Sequence, residues 1–437
     1  MQASIETLGS LERRLNIAVP LQEIDAEVDS RLKRLARTVK MHGFRPGKVP
    51  FKVVAQHYGG QIRQEVLGDT LQKSFGDAVR AQNLRVAGYP KFEAKPASDS
   101  TQQFEYSATF EVYPEVALGS LSDRAIVRPA LKVGDAEVDK TIEILRAQRT
   151  IYAPVERGAA KGDRVTMSYT GTIEGVEFAG GKAENQAVIV GGGQLLQQFD
   201  DALPGMKSGD SKQFELTFPS DYHGKEVAGK TASFEVRVTA VEEPRLPDID
   251  ADFARGLGVA DGNIATMRDE VKANVEREVA RRVKARVKEQ VMQALLDTTR
   301  LELPKSLVQI EVQRMAQAMR RELQQRGAAV DTLPFAPETF EAPAQRRVSL
   351  GLILAELVKS KGLHAKPEQV RTLIDEQAQS YERPDEVVKW YYQSPERLAE
   401  IESLVLEDNV VNWVLSVAKV EDQSIAFDEL MDKGQAK

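Results

Sequence analysis

The residue types that carry covalent catalysis are scarce in this chain. There is no cysteine, which removes thiolate nucleophiles, disulfides and thiolate metal sites together. The four histidines are well separated in sequence, so neither a histidine metal cluster nor any other cofactor is expected. Gly191-Gly192-Gly193 suggests a phosphate loop but lacks the Gly-Lys-Ser/Thr ending and the longer GxGxxG frame, so nucleotide binding is not expected either. What remains is recognition chemistry, most concentrated in Gly43-Phe44-Arg45-Pro46-Gly47-Lys48-Val49-Pro50. Pro46 fixes its own φ and pushes Arg45 towards an extended conformation, while Gly43 and Gly47 permit bends on either side. A stiff tip presenting Phe44 and Arg45 outward has the composition of a binding hot spot. The same residues also fit an ordinary turn between helices, with Phe44 folded back into the core.

The elements that position this tip read as an α+β domain over residues 1–112. Leu15, Ile17 and Val19 alternate in one strand, and Phe104, Tyr106, Ala108, Phe110 and Val112 in another, the period of a strand with one buried face. Between them the spacing predicts a helix from about Leu21 to Met41 and a second from about Gln61 to Gln82. Pro50 would open a short helix ending at Gly59-Gly60. The first helix is electrically uneven: Glu23, Asp25, Glu27 and Asp29 lie at its start, and Arg31, Lys33, Arg34, Arg37 and Lys40 at its end. That order complements the helix dipole. It also runs a basic stem into the Phe44-Arg45 tip, with Lys48 beyond, which suits a surface of RNA phosphate and protein.

At 437 residues the chain is too long for one compact core, so two or three domains are expected. Net charge is -7 with 29% charged residues, which excludes a globally basic nucleic-acid binder and leaves local patches. The first residues carry no basic start followed by an apolar run, and no stretch approaches the roughly twenty apolar residues that cross a bilayer. A cytoplasmic protein with no membrane partner is the expectation.

Residues 113–150 read as a connector punctuated by Pro114, Gly119, Pro129 and Gly134, with a helix capped at Asp135. From about Ile151 to Glu243 the chain becomes glycine-rich, short-stranded and aromatic. Strands are predicted at Asp163–Gly171, Phe214–Phe218 and Phe234–Val238. By spacing alone the aromatics there are the core of a small β domain. After Pro244 the chain is helical. Val271, Val275, Val279, Val283, Val287, Val291 and Leu295 recur every fourth residue, a row that drifts about 40° per step and so turns different parts of the helix to different neighbours. Further helices follow at Pro304–Gly327, Val348–Val358, Pro367–Tyr381 and Ser394–Val417.

The run from Val165 to Gly181, with Tyr-Thr-Gly and Glu177-Phe178, followed by Phe199, Phe218-Pro219-Ser220-Asp221-Tyr222-His223 and Phe234, resembles the FK506-binding-protein (FKBP) type of peptidyl-prolyl isomerase. With the Gly43–Pro50 stretch upstream and the helical region downstream, the whole chain resembles the bacterial trigger factor family. That resemblance implies a multidomain α+β fold. A ribosome-binding α+β domain spans 1–112, a connector 113–150, an FKBP-like antiparallel β domain with a short helix 151–244, and an elongated all-α body with two arms 245–437.

The resemblance further implies an isomerase pocket of Tyr169, Phe178, Leu195, Leu196, Phe199, Phe218, Tyr222, His223 and Phe234. Phe199 would be its floor, the two tyrosines phenolic donors, and His223 a polar contact at the rim. Ala179 stands where many isomerases of this type carry an acid, and Leu196-Gln197-Gln198-Phe199 replaces a commoner Ile-Pro-Gly-aromatic run, a departure expected to loosen the loop under the pocket. Ribosome contact is implied for Gly43, Phe44, Arg45, Pro46, Gly47 and Lys48. The implied partners are the large ribosomal subunit at its exit tunnel (protein and rRNA), nascent and unfolded polypeptides, and a second copy of the chain when free. The implied function is a ribosome-associated chaperone that also isomerises X-Pro bonds. The alternative from a different class is a free-standing isomerase whose other domains only recruit substrate.

Overall fold

The computed structural model describes residues 2–42, 44, 48–95, 102–193, 195–222, 224–327, 336–379, 381 and 383–432. They divide into two compact units, one of residues 1–128 with 285–423 and the other of residues 129–284 with 424–437. The helical region after Pro244 is therefore shared between both.

In the first unit, strands β1 (Gln2–Thr7), β2 (Glu12–Pro20), β3 (Val86–Ala94) and β4 (Gln103–Val112) form an antiparallel sheet in the order β1-β2-β4-β3. Helices α1 (Leu21–Ala36) and α2 (Phe51–Ala81) complete the layer. Leu15, Ile17 and Val19 from β2 and Tyr106, Ala108 and Phe110 from β4 meet Ile24, Val28, Val54 and Val66 in one core. The Tyr106 hydroxyl, inside that core, is satisfied by Ser74 at 2.7 Å and the Leu71 carbonyl at 3.2 Å.

Two local expectations are corrected here. No short helix ends at Gly59-Gly60; α2 runs unbroken for 31 residues. Each glycine costs about 1 kcal/mol against alanine in a helix, but burying Val54, Ile62 and Val66 along one face outweighs it. Helix α1 ends at Ala36, short of Met41, because the chain tightens: the N–H groups of Thr38 and Val39 both donate to the Leu35 carbonyl, at 3.0 and 2.8 Å.

The helical part of this unit comprises α7 (Lys305–Gln325), α8 (Glu338–Lys361), α9 (Pro367–Ala378), α10 (Pro384–Tyr392) and α11 (Pro395–Val417). Val370, Ile374, Val388, Ile401 and Val405 form a core among the last three. The first turn of α7 is tied to the sheet. Glu111 accepts from the N–H groups of Lys305 and Ser306 at 3.0 and 2.7 Å, satisfying donors that a helix start leaves open. Ser306 Oγ donates to the Ala87 carbonyl at 2.9 Å. Gly88, with φ of 78°, leaves room for that contact; a Cβ there would lie 2.5 Å from Ser306 Cβ.

The second unit is built on an antiparallel sheet of β6 (Ile151–Pro154), β7 (Arg164–Ile173), β8 (Val176–Ile189), β9 (Ser211–Thr217) and β10 (Thr231–Arg245). The sheet order is β6-β10-β7-β8, with β9 pairing β10, and a short helix α4 (Gln197–Ala202) packs on it. Elsewhere in this unit, Val138 and Ile142 from α3 (Asp135–Gln148) and Phe253 from α5 (Ala251–Gly256) form a second core. Joining them are Met267, Val271, Val275 and Val279 from α6 (Ile264–Thr298) and Leu430 from α12 (Phe427–Met431). Among the described residues beyond Arg245 the regular elements are helices, with one short strand, β11 (Lys419–Ser424), that pairs with β5 (Ala125–Ala130).

Candidate functional site

Register on the second unit's sheet builds the site. Phe234 on β10 lies opposite Gly171 on β7 and opposite Phe214 on β9. The Phe234 ring lies down over Gly171, where a Cβ would be 2.5 Å from ring atom Cε1. The Tyr-Thr-Gly motif thus ends in glycine because an aromatic ring occupies the space of its side chain. Gly181 on β8 does the same for Phe178: its Cβ would meet the Gly171 carbonyl oxygen at 2.9 Å and the Phe178 ring at 3.0 Å.

Helix α4 brings Phe199 onto this row. Its ring is edge-on to Tyr169 at 5.4 Å, to Phe214 at 5.1 Å and to Phe234 at 5.4 Å. Phe178 stands edge-on to Phe218 at 5.8 Å and to Phe234 at 6.0 Å, and Tyr222 packs on Phe218 at 4.9 Å. Leu195 and Leu196 pack against the same cluster. Phe199, Phe218 and Phe234 are buried, whereas Tyr169, Phe178, Leu195, Leu196 and Tyr222 are half-buried. The buried rings thus form an aromatic floor with a half-buried apolar rim. The Tyr169 hydroxyl has no hydrogen-bond partner among the described residues.

Eight of the nine pocket residues expected from the sequence are therefore brought together, and the ninth, His223, lies outside the described residues. Sequence reasoning missed Phe214, which touches both Phe199 and Phe234. Its alternation with Leu216 and Phe218 was a usable signal. The Leu196–Phe199 run forms the first turn of α4: the Phe199 N–H donates to the Leu196 carbonyl at 2.8 Å, and the Gln197 amide donates to Asp201 at 2.9 Å. Ala179 is exposed on β8.

Buried and half-buried charges in this unit are paired within the fold. Asp163 is only 2% exposed, held by the Arg157 guanidinium at 2.5 and 3.0 Å and by the Ala160 N–H at 2.8 Å. The bond from Arg157 holds the Asp163 carboxyl below the usual carboxylate range. Arg164 likewise grips Glu242 across the sheet at 2.7 and 2.9 Å and lowers its pKa. Among the described residues no group of three or more His, Asp or Glu side chains is placed to hold a metal ion, and no helix is long and apolar enough to cross a membrane.

At the other candidate site, Phe44 is 39% exposed and outside the core cluster, and its N–H donates to the Met41 carbonyl at 3.2 Å. Val49 is buried, while Lys48 is exposed. Gly43, Arg45, Pro46 and Gly47 lie outside the described residues. The basic stem is smaller than its sequence suggests. Arg31 is bonded to Glu27 at 2.9 Å and Asp69 at 2.8 Å, and Arg34 to Glu27 at 3.3 Å. The bond from Arg31 lowers the Glu27 pKa. Lys33, Arg37 and Lys40 are exposed and have no ion pair among the described residues.

Comparison with known proteins agrees along the whole chain. Residues 1–145 match the family described as bacterial trigger factor protein, and 263–416 match its C-terminus. Residues 155–239 match FKBP-type peptidyl-prolyl cis-trans isomerase. The chain is 56% identical over 434 residues to the trigger factor of Nitrosospira multiformis, covering 99% of this chain and 100% of that one. It is 56% identical over 431 residues to that of Aromatoleum aromaticum, covering 99% of each. Identity to that of Chromobacterium violaceum is 54% over 431 residues, again 99% of each.

Proposed function

The chain belongs to the bacterial trigger factor family, and we propose that its two activities and its docking are carried by different surfaces. It is a ribosome-associated chaperone and a peptidyl-prolyl cis-trans isomerase. In our reading the isomerase site is the aromatic pocket whose floor is Phe199. The observation that carries it is the convergence of Tyr169, Phe178, Phe218, Tyr222 and Phe234 on that ring.

Rotation about an X-Pro bond meets a barrier of roughly 18–20 kcal/mol that comes from amide resonance, and needs neither nucleophile nor proton transfer. The planar amide is the more polar state, so removing water raises it relative to the twisted one. The prolyl ring would sit on Phe199 between Phe178 and Tyr222, with the Tyr169 hydroxyl as the donor beside its nitrogen. A donor to the prolyl nitrogen, whose lone pair is freed only when the amide twists, then favours the twisted state further. Each 1.36 kcal/mol of such preference is about a tenfold rate gain.

Docking is assigned to Phe44, Arg45 and Lys48 with the exposed stem cations Lys33, Arg37 and Lys40, on the large ribosomal subunit beside the exit tunnel. Residues 1–112 would carry this task, 113–150 connect, 151–244 isomerise and 245–437 hold clients. The protein would work in the cytoplasm and self-associate when off the ribosome. Replacing Phe199 with alanine tests the separation: prolyl isomerisation of a tetrapeptide should fall at least tenfold, with suppression of aggregation of a denatured protein unchanged. If both fall together, one site serves both tasks and the assignment is wrong.

A further inference from the structure

Helix α7 buries none of its 21 residues, an unusual state for a helix in a folded unit. On one side Gln309, Gln313 and Gln317 follow each other at four-residue intervals, flanked by a parallel row of Val308, Val312 and Ala316. Both rows line one wall of a groove of about 540 Å³, and the start of α8 forms the other wall. The valines and the alanine are half-buried; the three amides are exposed and make no hydrogen bond among the described residues.

The spacing of the amides has a counterpart in an extended chain. Four residues rise about 6 Å along a helix, and the ridge they form is inclined by about 26°, so neighbours on it stand about 6.7 Å apart. Two residues of an extended strand advance about 6.4–6.8 Å, and every second residue turns its N–H and C=O to the same edge. A side-chain amide can donate to a carbonyl or accept from an N–H, so three in register can serve one strand edge without regard to its side chains. The two rows carry no charge, which suits a neutral main chain, while Arg320 on α7 and Glu338 and Glu341 on α8 line the same groove.

We propose that Gln309, Gln313 and Gln317 form a ladder that binds extended client polypeptide through its main chain, while alternate client side chains settle on Val308, Val312 and Ala316. The ladder deepens the chaperone reading and rests on it. Clients are held by a feature that every unfolded chain has and a folded one hides.

The test uses full-length protein and a fluorescent decapeptide of alternating leucine and serine, compared with the same peptide N-methylated on alternate residues in both registers. The wild type should bind the unmodified peptide about tenfold more tightly than the methylated peptide whose ladder-facing N–H groups are blocked. In the triple variant Gln309→Ala, Gln313→Ala, Gln317→Ala, which keeps strong helix formers, that preference should vanish. Suppression of aggregation of a denatured protein is measured alongside. A wild type that suppresses aggregation while the variant keeps the full preference, or changes only in self-association, overturns the ladder alone. A wild type that suppresses no aggregation overturns the chaperone premise and the ladder with it.

Discussion

Gly171→Ala is the most discriminating single change at the pocket. The added Cβ would lie 2.5 Å from Phe234 Cε1, 2.8 Å from Cζ and 3.0 Å from Cδ1, where carbon atoms are comfortable at about 3.5–4.0 Å. The ring must therefore move by about 1 Å. It cannot do so freely, because Phe234 is 4% exposed and is contacted by Tyr169, Phe178, Phe199, Phe214 and Phe218. Overpacking of this kind costs about 1–3 kcal/mol. Phe199, carried on the short helix α4, is among the rings that a displaced Phe234 must push. We expect denaturant unfolding of this unit to lose about 2 kcal/mol and prolyl isomerisation to fall by about tenfold, the latter because the floor is displaced. Gly175→Ala on the adjacent turn is the control for backbone strain: φ there is 83° but no atom lies within 4 Å of its Cβ, so it should cost stability without changing catalysis in the folded protein. A Gly171→Ala protein with wild-type stability and isomerase rate would refute the packing on which the pocket is built.

Two other perturbations separate docking and stability from catalysis. Phe44→Ala with Arg45→Ala should abolish co-sedimentation with ribosomes and leave prolyl isomerisation at the wild-type rate; persistent co-sedimentation would remove the tip from the docking surface. Arg157→Ala should lower stability at pH 7, because it takes both guanidinium bonds from the buried Asp163 carboxylate. Because Arg157 depresses the Asp163 pKa, the bond's contribution is complete above the unfolded carboxylate value of about 3.9 and is lost as pH falls through the lower folded value. Denaturation of wild type and variant should therefore converge below about pH 4, and a constant gap down to pH 2 would contradict the ion pair's role.

Much of the site was legible in the sequence because its signal is local. Alternating apolar residues marked the strands, and a family resemblance joined aromatics that lie far apart along the chain. What escaped is what local reading cannot weigh. Gly59-Gly60 looks like a helix stop until Val54, Ile62 and Val66 are seen to be buried on one face, and that burial is a tertiary fact. Arg31 looks available for docking until Asp69, on a different helix, is found 2.8 Å away. Phe214 stood in a strand that the sequence did show, but its contact with Phe199 depends on β9 lying beside β10. The need for glycine at 171 and 181 is likewise invisible until two rings are laid over them.

The location of the isomerase site is tested most directly by intermolecular nuclear Overhauser effects between full-length protein and a bound proline-containing peptide. Contacts from the prolyl ring protons to the rings of Phe199 and Tyr169 are expected, with weaker ones to Phe178 and Tyr222. Contacts confined to another surface, with none to Phe199, would contradict the assignment.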